Sequence, residues 1–171
     1  AVGIAALTAF ATWYVGGKLE EREIREVAQQ REQLKLDTLQ KQALSGDQKA
    51  QIKLAQYYEK GVHTTINLKE AEKWYRMAAD VGNVSAQYAL GRLYDSADIA
   101  IQNYGEAAKW YRLAAKFGRN PNAAFRLGML YLYGRGVEND IDKAVTWIRF
   151  AADRGNAAAQ FIYGEMCEKA W

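Results

Sequence analysis

Three nine-residue stretches of this chain, 71–79, 107–115 and 144–152, are near copies of one another, and their tryptophans, Trp74, Trp110 and Trp147, stand 36 and 37 residues apart. A period of that length marks stacked helical hairpins. A short hairpin cannot bury its apolar face alone, so successive copies must stack into one continuous core and leave an elongated surface. A second block precedes each copy: Ala50, Leu54 and Tyr58, then Ala86, Leu90 and Tyr94, then Ala123, Leu127 and Tyr131. The i, i+4, i+8 spacing puts each triplet on one face of a helix. A fourth block, Ala159, Tyr163, Gly164 and Cys167, has no second half after it. Block tyrosine and following alanine are 13 residues apart in every full copy, so the loops have a fixed length as well.

Local signals agree with two helices per copy. Asn67, Asn103 and Asp140 stand where a side chain caps the second helix, and Glu70 and Glu106, three residues on, fit capping boxes. Gly82, Gly118 and Gly155 suit left-handed ends of that helix. Gly91 and Gly128, just after the block leucine, allow a neighbouring helix to approach closely. Each tryptophan lies four residues before an alanine, one turn away on the same face.

This pattern resembles the Sel1-like repeat family, relatives of the tetratricopeptide repeats. The third copy carries most of the family signature in Ala123, Leu127, Gly128, Tyr131, Gly134, Gly136, Val137, Asp140, Lys143, Ala144, Trp147, Ala151, Ala152 and Gly155. The first copy departs at His63, where a loop glycine belongs, and the second has no loop glycine between Asp95 and Ala100, which predicts a different path there. The resemblance runs from about Gly46 to Cys167. It implies an all-α fold, an α-solenoid of Sel1-like helix-turn-helix repeats, with adaptor or assembly work and protein partners.

The residues ahead of the repeats are a different material. Residues 1–17 carry no charge, and Lys18, Glu20, Glu21 and Arg22 follow abruptly. Seventeen helical residues span about 25 Å, slightly short of the ~30 Å apolar core of a bilayer. No methionine begins the sequence, so further residues are expected upstream. Trp13 and Tyr14 sit where an aromatic membrane-interface anchor would, and Ala1, Ala5 and Ala9 form a small-residue stripe suited to packing against another membrane helix. A signal-peptide core, or an apolar helix against a soluble partner, is the rival reading. The expected division is a transmembrane helix over 1–17, a helical stalk over 18–45, repeats over 46–82, 83–118 and 119–155, and a half repeat over 156–171. The stalk, with a broken heptad of Ile24, Val27, Leu34, Leu36 and Leu39, reads as a solvated or lightly contacted spacer.

Composition excludes several classes. Twenty-three basic and 20 acidic residues leave a net charge of +3, without the basic stripe of a nucleic-acid binder. A single cysteine, Cys167, rules out an internal disulfide, and its place among the block tyrosines reads as core. His63 is the only histidine, so neither a histidine triad nor a multi-histidine metal site can form. No catalytic residues, cofactor, metal or small-molecule substrate are expected, and the chain reads as a non-enzyme.

A binding surface comes from the first helix of each copy. The residue two before the block leucine falls at about 160° from it, away from the core face. It is Ile52, Tyr88, Phe125 and Phe161 in turn, and one turn later come Gln56, Arg92, Met129 and Glu165. The family resemblance implies that this face lines a concave groove for a segment of a partner, while neighbouring repeats half covering it is the alternative. Arg76, Arg112 and Arg149 recur on the second helix and read as a solvated outer face. The expected role is a membrane-anchored scaffold that holds partner proteins of a membrane complex, with integral membrane subunits as partners. The alternative is an accessory subunit of a larger membrane enzyme or transport complex, held through the transmembrane helix. Lys18, Arg22 and Arg25 favour a cytosolic repeat domain. The resemblance to exported bacterial family members favours a bacterial inner membrane with the repeats periplasmic.

Overall fold

The computed structural model describes residues 2–96 and 101–168, and for residues 2–16 and 19 the backbone alone. The described residues form eight helices: α1 Val2–Leu44, α2 Gln48–Lys60, α3 Leu68–Asp80, α4 Val84–Tyr94, α5 Tyr104–Lys116, α6 Pro121–Tyr133, α7 Ile141–Ala152 and α8 Ala157–Glu168. The pairs α2/α3, α4/α5 and α6/α7 are the three hairpins read from the repeats. Each helix contacts the next along the chain, the order of an α-solenoid. The core runs without a break through Leu54, Tyr75, Leu90, Tyr111, Leu127 and Ile148, all of them fully buried.

Capping explains where the helices begin. Asn67, Asn103 and Asp140 accept a side-chain hydrogen bond from the amides of Glu70, Glu106 and Lys143 at 3.1, 3.0 and 2.9 Å. The capping boxes expected with Glu70 and Glu106 do not close. The cap's own amide is already spent on a block tyrosine: Asn67, Asn103 and Asp140 N–H donate to the carbonyls of Tyr58, Tyr94 and Tyr131 at 2.8, 2.9 and 3.1 Å. Glu70 and Glu106 turn instead to Lys73 and Lys109. Those backbone bonds fix the constant loop length noted in the sequence. The first helices have caps of their own, since Asp47, Asn83, Asn120 and Asn156 accept from Ala50, Ala86, Ala123 and Ala159.

Two of the three expected left-handed helix ends are present, Gly82 at φ +89° and Gly155 at φ +82°. Gly118 is not one of them. One extra residue separates α5 from α6, which accounts for the 37-residue step, and Arg119 takes the positive φ of 50° instead. Gly118 serves close contact, because a Cβ there would stand 2.4 Å from Val84. In the first repeat His63 occupies the left-handed position at φ 58° where the third has Gly136 at φ 66°. Its ring lies edge-on to Tyr57 and its Nδ1 is 3.0 Å from Glu32 of α1. The loop of the second copy, where a different path was expected, has residues 97–100 outside those described.

The expected stalk divides in two. Residues 20–31 are exposed, but Leu36, Leu39 and Ala43 are buried against α2, so the last turns of α1 belong to the solenoid. This corrects the reading of a solvated spacer as far as those turns. Ala1 and the side chains of Ala5, Ala9, Trp13 and Tyr14, on which the membrane reading rests, lie outside what is described. Among the described residues no helix is long and apolar enough to cross a membrane.

Candidate functional site

The face carried by α2, α4, α6 and α8 is partly absorbed by contacts between repeats. Ile52, Tyr88, Phe125 and Met129 are half-buried and pack on the core, with the Tyr88 and Tyr111 ring centroids 6.0 Å apart. Gln56 and Arg92 are exposed and Glu165 is half-buried. Phe161 is 67% exposed, the most open apolar residue of the set, because no further helix covers α8 among the described residues. Arg92 is not an isolated charge. Its Nη2 donates to Glu59 at 2.7 Å, across the boundary between the first and second repeats.

That ion pair belongs to a repeated polar arrangement that the sequence analysis missed. The residue after each block tyrosine is Glu59, then Asp95. A buried phenol from the paired helix donates to each, Tyr75 to Glu59 at 2.7 Å and Tyr111 to Asp95 at 3.1 Å. A cation on the next first helix faces each acid, Arg92 for Glu59 and Arg126 for Asp95 at 3.8 Å. Burial pushes the Asp95 carboxyl above its ordinary range, against the opposing pull of Tyr111 and Arg126. Burial also drives the phenols of Tyr75 and Tyr111 far above the ordinary tyrosine value, and the adjacent acids add to it. In the third repeat both members change together: Leu132 replaces the acid and buried Ile148 replaces the phenol. A signal was present, since the two positions covary within the chain, but their 16-residue separation hid it from a reading of one helix at a time.

A second ladder locks the repeats in register. Arg76 of α3 donates to the Tyr94 hydroxyl on α4, which in turn donates to Glu72, and Arg112 of α5 donates to Tyr131 on α6 at 2.7 Å. Gln40 of α1 does the same toward Tyr58 at 3.2 Å. The Arg76 guanidinium also lies 5.7 Å from the centre of the Trp110 ring. Arg76 and Arg112 are therefore half-buried latches between repeats rather than the solvated face expected for them. At the fourth level Cys167 stands in the phenol's place and is exposed, not core, because no helix follows α8 to cover it among the described residues. Arg149 accordingly remains exposed.

Chemically, this arrangement holds a surface in place. Its acids are engaged by phenols and guanidinium groups that fix their positions. Among the described residues no group of three or more His, Cys, Asp or Glu side chains is placed to hold a metal ion.

Comparison with known proteins agrees with this geometry. The family model for the Sel1 repeat matches residues 48–83, 84–116 and 121–156. A protective antigen present in uropathogenic Escherichia coli strains, which displays an SLR fold, is 38% identical with a TM-score of 0.71. The match covers 77% of this chain and 28% of that one, so the present chain spans less than a third of it. A Sel1 repeat protein from Oxalobacter formigenes is 35% identical with a TM-score of 0.65, over 77% of this chain and 98% of the other. Cysteine rich protein B of Helicobacter pylori, 17% identical over 78% of this chain and 96% of its own, shares the fold with a TM-score of 0.57. With three matched repeats making up more than half of its length, the chain belongs to the Sel1 repeat family.

Proposed function

We propose that this chain is a non-catalytic, membrane-anchored scaffold whose first-helix face captures a segment of a partner protein in a membrane-associated complex. Proteins built on Sel1 repeats generally mediate protein–protein interactions, and the fold is typically non-catalytic. The observation that carries the reading is the row Ile52, Tyr88, Phe125 and Phe161, one large apolar side chain per repeat on a rigid array. Such a row offers equally spaced anchors to an extended or helical peptide. Gln56, Arg92, Met129 and Glu165 flank it and would set polarity along the bound segment. The uncharged stretch 1–17, with Trp13 and Tyr14 before the charges, supports the anchor, which would sit in a bacterial inner membrane with the repeats on its periplasmic side. Integral membrane subunits are the partners that such a location favours.

The anchor and the solenoid are separated by deleting residues 1–17 and comparing the bound proteins with those of the full chain in mild detergent. The same partner is expected on both chains. Loss of the partner from a shortened chain that keeps its helical circular dichroism would mean that the N-terminal helix makes the contact and that the repeats are an accessory module.

A further inference from the structure

We propose that His63 is a proton-operated clasp, which fixes α1 to the first repeat when the imidazole is charged and lets it go when the ring is neutral. His63 is the only histidine of the chain. It sits at φ 58° in the loop between α2 and α3, where the third repeat has Gly136 at φ 66°. Glycine adopts this left-handed backbone freely, whereas a residue with a side chain is strained there. The strained position puts the ring to use. Tyr57 of α2 meets it edge-on, with the ring centres 5.2 Å apart, and its Nδ1 reaches across to Glu32 of α1 at 3.0 Å.

The two oxygens of that carboxylate are placed differently. Glu32 Oε1 accepts from Lys35 Nζ at 2.7 Å. Oε2 is shut off from solvent and receives no hydrogen bond among the described residues, although the imidazole nitrogen stands beside it. A buried carboxylate oxygen without a donor is costly. A neutral ring protonated on Nε2 turns a lone pair toward that oxygen, whereas the imidazolium turns an N–H and a positive charge toward it.

The surrounding groups leave the imidazole as the one that switches. On α1, the Lys35 hydrogen bond, with the charges of Lys35, His63 and Arg31 added, holds the Glu32 carboxyl below its ordinary range against the opposing effect of burial. On α2 the facing groups are the Tyr57 ring and the Lys53 ammonium, 5.9 Å from the centre of that ring. Of these side-chain types only imidazole ordinarily changes charge between about pH 5 and 8. The pair also lies at a mechanical boundary. Leu36, Leu39 and Ala43 are buried against α2, and residues 20–31 are exposed. Closing the clasp extends the docked part of α1 by about one turn and fixes the direction in which the rest of the helix leaves the solenoid. Its contribution is present at low pH, where the ring is charged, and is lost as the pH rises through the imidazole range. The two side chains are 31% and 35% exposed, which keeps the effect modest.

The test is hydrogen exchange of the full chain in mild detergent at about pH 5.5 and about pH 8, read by mass spectrometry and corrected for the intrinsic pH dependence of exchange. The amides around Glu32 in α1 are expected to exchange about threefold or more slowly at the lower pH, measured relative to those of α5. Glu32→Gln and His63→Gly should each abolish that difference. His63→Gly places in this loop the residue that the third repeat has at Gly136, so this variant should keep the solenoid folded by circular dichroism. Equal protection of the wild type at both pH values would overturn the proposal and mean that a neutral ring holds Glu32 through Nδ1–H throughout. A pH response that survives in either variant would overturn it as well, because the response would then come from another group.

Discussion

Replacing Tyr111 by alanine should cost about 3–5 kcal/mol of stability, the range for removing a large buried aromatic side chain, and lower the melting temperature by roughly 8–15 °C. The ring is fully buried and packs against Gly91, where a Cβ would stand only 2.5 Å from it, so its loss opens a cavity at the middle of the stack. The hydroxyl is a separate part of the effect, because Asp95 loses its phenol donor when it goes. Tyr111→Phe keeps the ring and removes that bond alone, for which about 1–3 kcal/mol is expected. The third repeat shows how the same place is built without charge, with Leu132 and Ile148 in these two positions. Transplanting that solution as Asp95→Leu with Tyr111→Ile should recover a large part of the loss, since both polar partners then leave together. Thermal unfolding of the three variants beside the wild type measures all of this. A Tyr111→Ala chain that melts with the wild type would show that the stack does not depend on this contact.

The protein should also lose stability steeply above pH 10. The Tyr94 phenol, buried and donating to Glu72, is pushed up to about 12 from the ordinary 10.0, with burial the main cause and the Glu72 carboxylate adding to it. An unfolded chain therefore sheds this proton near pH 10 while the folded chain keeps it. The contribution of Tyr94 is fully present below pH 10, declines as the pH rises, and is gone above about 12. By linkage it amounts to the order of 2–3 kcal/mol. Tyr75 and Tyr111 shift the same way and further, so their contributions disappear over the same approach to strong alkali. Absorbance of tyrosinate near 295 nm, followed with circular dichroism on the same sample, should show part of the phenol signal appearing only as the helices melt. Eleven tyrosines ionising in one step near pH 10 with the helices intact would contradict this account.

How much of this was legible in the chain depended on the range of the interaction. Hairpin boundaries followed from local terms: the period of Trp74, Trp110 and Trp147, the caps at Asn67, Asn103 and Asp140, and the glycines that meet Tyr111 and Ile148. The errors came where one group had two possible partners. The capping boxes failed because the cap amides are claimed by the tyrosine carbonyls of the preceding helix. The arginines at 76 and 112 looked like surface charge because their phenol partners lie 18 and 19 residues away, in the next repeat. The end of α1 looked like spacer because its burial comes from packing on α2 rather than from its own helix, and a heptad count weighs the helix alone. On the binding face, the apolar row was visible from periodicity, but its coverage by neighbouring repeats, and the capture of Arg92 by Glu59, required the stacked geometry.

The central claim is that the first-helix face recognises a partner, and its most direct test is quantitative capture from the source membranes with Tyr88→Ala/Phe125→Ala beside the wild type. Met77→Ala, on the opposite side in α3, serves as the control. The account predicts that proteins enriched by the wild type fall by about tenfold or more with the double variant and stay with the control, in keeping with the cost of removing two central aromatic anchors. Unchanged capture by a folded double variant would contradict it and place recognition elsewhere on the chain.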